Sequence, residues 1–111
     1  MRDISLKDLL EAGCHFGHQV TRQNPKAREF IYAAREGIHI IDLAKTREGL
    51  LSAGDFIRGV AQRGGTIVLL GTKRQARSQI LEAAKKMQAA VSQGTHVFVV
   101  TERWVGGTLT N

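Results

Sequence analysis

The spacing of apolar residues changes several times along the chain, and each change marks a predicted element. Leu6, Leu9 and Leu10 recur at helical spacing after Ser5, whose hydroxyl favours the start of a helix, and Gly13 ends the run. A short N-terminal helix is therefore predicted.

The next part of the chain predicts a loop followed by a hairpin. Residues 14–28 show no apolar period and include the only proline, which is typical of an ordered loop. Residues 30–32 and 38–41 are short β-prone runs on either side of residues 35–37. The glycine in the connecting segment favours a tight turn, so a β-hairpin is predicted.

A second helix is predicted after the hairpin. Apolar residues from Leu50 to Ala61 recur at helical spacing, which indicates an amphipathic helix. Asp42 or Thr46 is the candidate for its cap, and the glycine pair 64–65 is the candidate for its end.

The C-terminal half predicts a strand, a helix and another strand. Residues 66–70 and 96–100 are continuous apolar runs, typical of strands covered on both faces of a parallel sheet. Apolar residues at helical spacing over 76–87 predict a helix between them. This order predicts a three-layer α/β/α sandwich with a parallel sheet, preceded by a small N-terminal β-hairpin, with 1–111 forming a single α/β domain.

Composition favours a folded domain with a polyanionic partner. Of 111 residues, 42% are hydrophobic and 23% charged, which argues against a disordered tail. Lys and Arg number 16 against 10 Asp and Glu, and the net charge of +6 favours nucleic acid or an anionic membrane. The longest apolar runs have only strand length, so we expect no membrane association. The chain starts without a secretory signal, and Cys14 has no partner for an internal disulfide, so we expect a cytoplasmic protein.

Residues 71–76 are the first candidate binding segment. They lie where a parallel strand leads into a helix, the position at which open α/β sheets bind ligands and backbone N–H groups attract phosphate. Lys73, Arg74 and Arg77 add positive charge. The segment lacks the glycine and lysine spacing of a Walker loop. A tight turn at Gly71 with solvated charges explains the same residues, so position alone leaves both interpretations open.

The segment after the last predicted strand is the second candidate. Arg103 and Trp104 follow that strand at the same edge of the sheet, so we expect them to lie near residues 71–76. Arginine binds phosphate or stacks on a base, and an indole stacks on a base or packs in a core. Because core packing is the more common role of a lone tryptophan, Arg103 is the stronger candidate.

A loose series of basic residues surrounds the predicted loop and hairpin. Any one of them is equally well explained as part of a solvated face, but together with the sheet edge they suit contact with phosphates. The candidate RNA-binding residues are Arg22, Lys26, Arg28, Arg35, Lys73, Arg74, Arg77, Arg103 and Trp104.

Metal binding and catalysis have weak support. His15 and His18 are the best metal ligands with Cys14, but zinc needs a fourth ligand and the chain has no second cysteine, so no metal site is predicted. Neighbours in sequence rarely face each other as a nucleophile and its base must, and no paired carboxylates stand out, so no catalytic residue is predicted. Structural roles in loops and turns are predicted for His15, Gly17, His18, Asn24, Pro25, Gly71, Gly106 and Gly107.

Several short motifs occur in an order that matches one known family. They are Ala12-Gly13, His15-Phe16-Gly17-His18, Asn24-Pro25-Lys26, Ile38-His39-Ile40-Ile41-Asp42-Leu43, Lys45-Thr46, Gly71-Thr72-Lys73-Arg74-Gln75-Ala76 and the run from Arg103 to Asn111. Together they resemble the small-subunit ribosomal protein S2 family of bacteria and organelles. The likeness covers nearly the whole chain. The chain departs from the family at Cys14, where members often have a small aliphatic residue, and at residues 91–96, which look like an extra turn.

The resemblance implies both a fold and a function. It implies a flavodoxin-like (Rossmann-like) parallel sheet flanked by helices, a place on the small ribosomal subunit, and contact with ribosomal RNA and neighbouring ribosomal proteins. It also implies no enzymatic activity, no cofactor, no small-molecule substrate and no membrane. In the family a basic helical hairpin projects just after Leu109-Thr110-Asn111, and further strands follow. We therefore expect the N-terminal part of a longer chain, with a sheet that is incomplete at its C-terminal end.

Two other functions stay open on the residues alone. A small nucleotide- or phosphate-binding α/β enzyme would use the turn from Gly71 to Arg74 as its anion site and bind one mononucleotide. An interaction module would use Trp104 as an anchor for a protein partner.

Overall fold

The fold is described by a computed structural model that covers residues 3–91 and 94–110. The chain consists of two compact units, Met1–Asp55 and Phe56–Asn111. Two 3₁₀ turns lie at Val20–Arg22 and Pro25–Phe30. The described helices and strands are α1 (Leu6–Glu11), β1 (Phe16–Gln19), β2 (Ile31–Arg35), β3 (Ile38–Ile41), α2 (Leu43–Gln62), β4 (Thr66–Leu70), α3 (Arg77–Ala90) and β5 (His96–Val100).

In the first unit, α1 begins at the cap predicted from the sequence. The Ser5 backbone N–H donates to the Asp8 carboxylate (3.0 Å), and the Asp8 N–H donates to the Ser5 hydroxyl (3.1 Å). This reciprocal pair satisfies two N–H groups that the helix itself leaves without partners. Leu9 is buried, and Gly13 follows the helix with a φ of 75°. The predicted N-terminal helix is confirmed.

The sheet of the first unit has three antiparallel strands in the order β1-β3-β2. Strands β2 and β3 form the predicted hairpin, and β2 extends to Arg35. Glu36 and Gly37 connect them with φ values of 51° and 76°. Two consecutive left-handed residues make the tight turn whose twist matches that of the strands.

Strand β1 lies inside the segment that the sequence predicts as a loop. Phe16 pairs with Ile40 of β3, and the Ile41 N–H donates to the His15 carbonyl (2.8 Å). The four residues of β1 have no alternating pattern, and β3, which pairs with them, lies well apart in sequence. Local patterns do not reveal such a pairing, because strand formation depends on the neighbouring strand.

Helix α2 begins after Asp42, one of the two predicted caps. The Asp42 carboxylate accepts the Ala44 N–H (3.0 Å), and the Asp42 carbonyl accepts the Thr46 N–H (3.1 Å). Gly64, with a φ of 71°, follows its end. Over residues 3–91 and 94–110, no helix is both long and apolar enough to cross a bilayer.

In the second unit, β4 and β5 pair in parallel, in register from Thr66 opposite His96 to Leu70 opposite Val100. Helix α3 connects the two strands and packs on them. Val97 is 6% exposed, and the Gln88 side-chain amide of α3 donates to its carbonyl (2.9 Å). The predicted strand, helix and strand are confirmed. The chain is thus an α/β protein with helices and with both parallel and antiparallel strands.

One face of the parallel pair is exposed. Val68, Leu70 and Phe98 are 42%, 52% and 56% exposed, whereas the alternate residues Ile67 and Leu69 are half-buried. Burial on both faces was predicted from the apolar composition, and the described residues supply a covering layer on only one. Residues 92 and 93 of the predicted extra turn at 91–96 lie outside the described residues.

Candidate nucleic-acid interface

The turn after β4 is held by backbone contacts. The Gly71 N–H donates to the Val100 carbonyl of β5 (2.9 Å), and the Ala76 N–H donates to the Lys73 carbonyl (2.9 Å). Gly71 is buried, and a Cβ at this position would lie 2.3 Å from Cγ1 of Ile80 in α3. The absence of a side chain therefore allows α3 to approach the end of β4 closely.

The basic residues of this turn differ in their surroundings. Lys73 and Arg74 are exposed, and neither pairs with a carboxylate within residues 3–91 and 94–110. Arg77 is half-buried, and its Nε donates to the Thr72 carbonyl (3.3 Å). Lys73 and Arg74 are available to an anion, whereas Arg77 also stabilises the turn.

The segment after β5 starts beside this turn. Because β4 and β5 are parallel and in register, the residues that follow Val100 leave the sheet at the same edge as Gly71. Arg103 is exposed, and it has no carboxylate partner in the described part of the chain. Trp104 is 42% exposed. The two candidate segments thus start from one sheet edge, and the indole is not enclosed in a core.

The last described residues turn through Gly107, which has a φ of 87°. The Thr110 N–H donates to the Gly107 carbonyl (3.1 Å), and the Thr108 N–H donates to the Val105 carbonyl (3.2 Å). Glycine adopts this left-handed backbone conformation without strain, which explains the glycine at position 107. A Cβ at Gly106 would meet no atom within 4 Å, so sterics do not explain the glycine there.

In the first unit, the predicted basic series is exposed to solvent. None of its side chains pairs with a carboxylate among the described residues. The Asn24 side-chain oxygen accepts the Lys26 N–H (3.0 Å), and Pro25 occupies the start of the 3₁₀ turn. Asn24 thus caps this turn, and Pro25 begins it. The four basic residues are Arg22, Lys26, Arg28 and Arg35.

The histidine motif has mixed surroundings. His15 is half-buried, its ring centroid lies 4.1 Å from that of Phe16, and its Nδ1 is buried without a hydrogen-bond partner in the described part of the chain. His18 and Cys14 are exposed. Within residues 3–91 and 94–110, no group of three His, Cys, Asp or Glu side chains could hold a metal ion.

Two residues with binding chemistry were not singled out from the sequence. His39 of β3 is 9% exposed, and its imidazole makes no hydrogen bond to any described residue. Phe30, just before β2, is 49% exposed. A Cβ at Gly17 of β1 would lie 3.0 Å from the His39 carbonyl oxygen, so the two strands approach closely at this point. A polar residue inside the apolar run of β3 is the signal that could have identified His39.

Comparisons with known proteins agree with these motifs. A family model described as "Ribosomal protein S2" matches residues 9–111. The "Small ribosomal subunit protein uS2" of Coprothermobacter proteolyticus is 49% identical over 111 residues, which are 100% of this chain and 38% of the relative. The protein of the same name from Solidesulfovibrio magneticus is 51% identical over 108 residues, which are 97% of this chain and 39% of the relative. The chain thus spans less than two thirds of each relative, and it belongs to the ribosomal protein S2 family.

Proposed function

We propose that the chain is a structural part of the small ribosomal subunit in the cytoplasm, where it takes part in translation by binding ribosomal RNA and neighbouring ribosomal proteins. It needs no cofactor and catalyses no reaction. One observation carries this proposal. The chain is 49% and 51% identical, over essentially its whole length, to two proteins named as small ribosomal subunit proteins. The proposal extends to the whole protein, of which the chain matches 38% to 39% in these relatives.

The sheet edge after β4 and β5 is the proposed phosphate-binding surface. Lys73, Arg74 and Arg103 are exposed cations without carboxylate partners among the described residues. Such side chains displace the counterions that surround RNA, and the affinity gained in this way falls as salt rises. Trp104, which is partly exposed, would stack on an unpaired base beside them. Arg77 would act mainly by holding the turn through its bond to Thr72.

The exposed basic residues of the first unit form a second proposed set of phosphate contacts. Side chains of this kind position a protein on RNA and carry no sequence information themselves. The set consists of Arg22, Lys26, Arg28 and Arg35.

The finer fold assignment is also a proposal. A three-layer α/β/α sandwich, with 1–111 as one incomplete domain, is supported by the α3 layer and by the apolar side chains on the opposite face of β4 and β5. A layer on that face would remove them from water, which is the usual state of a parallel sheet.

The rival enzyme, which would bind a nucleotide or phosphate at the turn from Gly71 to Arg74, is not favoured. Neither of the two relatives carries an enzyme's name. The protein-binding role of Trp104 also remains compatible with its exposure, because ribosomal proteins pack on one another as well as on RNA.

Co-sedimentation tests the proposal directly. The tagged chain is mixed with small ribosomal subunits in a magnesium-containing gradient, before and after a high-salt wash, and an untagged full-length relative is the competitor. We expect the chain to migrate with the subunit at low salt and to be released by the wash and by the competitor. A chain that stays at the top of the low-salt gradient contradicts the proposal.

A further inference from the structure

A cavity of about 340 Å³ lies within the first unit, between its sheet and the two 3₁₀ turns. Gly17 and His39 contribute from the strands, and Arg22, Asn24 and Phe30 contribute from the turns. This volume is near the lower end of the range of about 300–1,000 Å³ for sites that take small ligands. The cavity is therefore large enough for one flat group with a short polar extension.

His39 is the reason to regard this cavity as a binding site. It is the largest polar side chain among the buried residues of the described chain, it lines the cavity, and its imidazole has no hydrogen-bond partner there. The residue as a whole is buried, but its ring nitrogens remain open to solvent, so they can bond to an occupant of the cavity. An occupant with a donor or acceptor at its edge would provide that partner.

The remaining walls define the chemistry of the occupant. Ile31 and Ile41 give an apolar floor, and the half-exposed ring of Phe30 offers a face for stacking. Arg22 is exposed at the cavity and has no carboxylate partner in the described part of the chain. The amide of Asn24 already accepts one backbone N–H through its oxygen, so its NH₂ group remains to donate. A flat aromatic group with a hydrogen-bonding edge and an attached anion satisfies all of these features.

We infer that the cavity binds a single unstacked nucleotide of RNA, with the base against Phe30 and hydrogen-bonded to His39, and with its phosphate at Arg22. The inference rests on the proposed function, because it makes this nucleotide part of ribosomal RNA. Proteins read RNA mostly at unpaired bases, which they stack on aromatic rings and hydrogen-bond along their edges. The nearby cations Lys26 and Arg28 would contact the neighbouring phosphates.

The test is a nuclear magnetic resonance titration of the isotope-labelled chain, observed at the Gly17 amide and the His39 imidazole. The probes are a short oligoadenylate, a fully paired RNA duplex and adenosine monophosphate. The variant Ala27→Leu places a larger side chain into the cavity from an exposed position of the second 3₁₀ turn. The matched control Ala33→Leu makes the same change at an exposed position of β2 that does not line this cavity.

Oligoadenylate should shift both resonances to saturation, with an affinity that falls roughly tenfold in Ala27→Leu and stays unchanged in Ala33→Leu, as expected when one base-stacking contact is lost. The duplex should leave both resonances in place. RNA binding that shifts only the basic residues, or that Ala27→Leu leaves intact, overturns the inference and leaves the proposed function standing. Adenosine monophosphate that binds as tightly as the oligonucleotide also overturns it, since the occupant would then be a free nucleotide. If neither RNA binds, the inference is wrong, while co-sedimentation decides the proposed function separately.

Discussion

At the scale of single residues, Gly71 controls how closely α3 approaches β4. Gly71→Ala would place a Cβ 2.3 Å from Cγ1 and 3.0 Å from Cβ of Ile80, and the second of these atoms belongs to the base of the side chain, which cannot rotate away. We expect the variant to lose about 1–3 kcal/mol of unfolding free energy, the usual cost of overpacking. Denaturant unfolding followed by circular dichroism measures this loss.

Gly49→Ala is the matched control for that change. Gly49 lies in α2, has no atom within 4 Å of the added Cβ and has no left-handed φ, so alanine should stabilise the helix by about 0.5–1 kcal/mol. The double variant with Ile80→Ala should lose less than the sum of the two single changes, because removing the branched side chain makes room for the Cβ. Equal effects of Gly71→Ala and Gly49→Ala would show that the contact between α3 and the strand end is not tight.

At the scale of elements, the strand β5 has one covered face and one exposed face. Val97 is 6% exposed and the adjacent Phe98 is 56% exposed. Val97→Thr buries a hydroxyl and should cost about 1–3 kcal/mol. Phe98→Thr should change stability by less than about 1 kcal/mol, and it should reduce self-association, since exposed apolar patches promote it. Chemical unfolding and sedimentation velocity measure the two effects. A Phe98→Thr variant as unstable as Val97→Thr would mean that this face is covered in solution.

Elements with their own local pattern were predictable from the sequence. The cap at Ser5, the hairpin turn at Glu36 and Gly37, and the β4-α3-β5 succession each depend on residues that are close together in the chain. Strand β1 was not predictable, because it depends on pairing with β3 across the intervening loop and hairpin. Burial was also overestimated for Phe98, which is 56% exposed. An apolar side chain favours burial, but whether it is buried depends on residues distant in sequence that would have to cover it.

At the scale of the whole molecule, the sequence predicted the residue types that suit binding to a polyanion. It predicted the surroundings of those residues less well. The shared edge of Gly71 and Val100 follows from parallel pairing and was expected. The bond from Arg77 to the Thr72 carbonyl and the isolated imidazole of His39 were not, because each depends on the side-chain conformation in the folded chain. Net charge alone does not distinguish an exposed cation at a binding edge from one on an unrelated helix face.

A matched pair of double variants distinguishes RNA binding at a specific site from a general attraction caused by the net charge. One double variant combines Lys73→Gln with Arg74→Gln, and the other combines Lys85→Gln with Lys86→Gln. Each double variant removes two adjacent exposed cations, so both lower the net charge of +6 by the same amount. If the turn after β4 contacts RNA phosphates, the first pair should reduce the slope of log affinity against log salt by about two, roughly one for each lost contact. The second pair, in the C-terminal half of α3, should leave the slope nearly unchanged. Fluorescence anisotropy of small-subunit RNA over a range of salt concentrations measures both slopes. Equal changes in the two variants would assign the attraction to overall charge and remove the turn from the interface, because only local phosphate contacts make the slope depend on which two cations are lost.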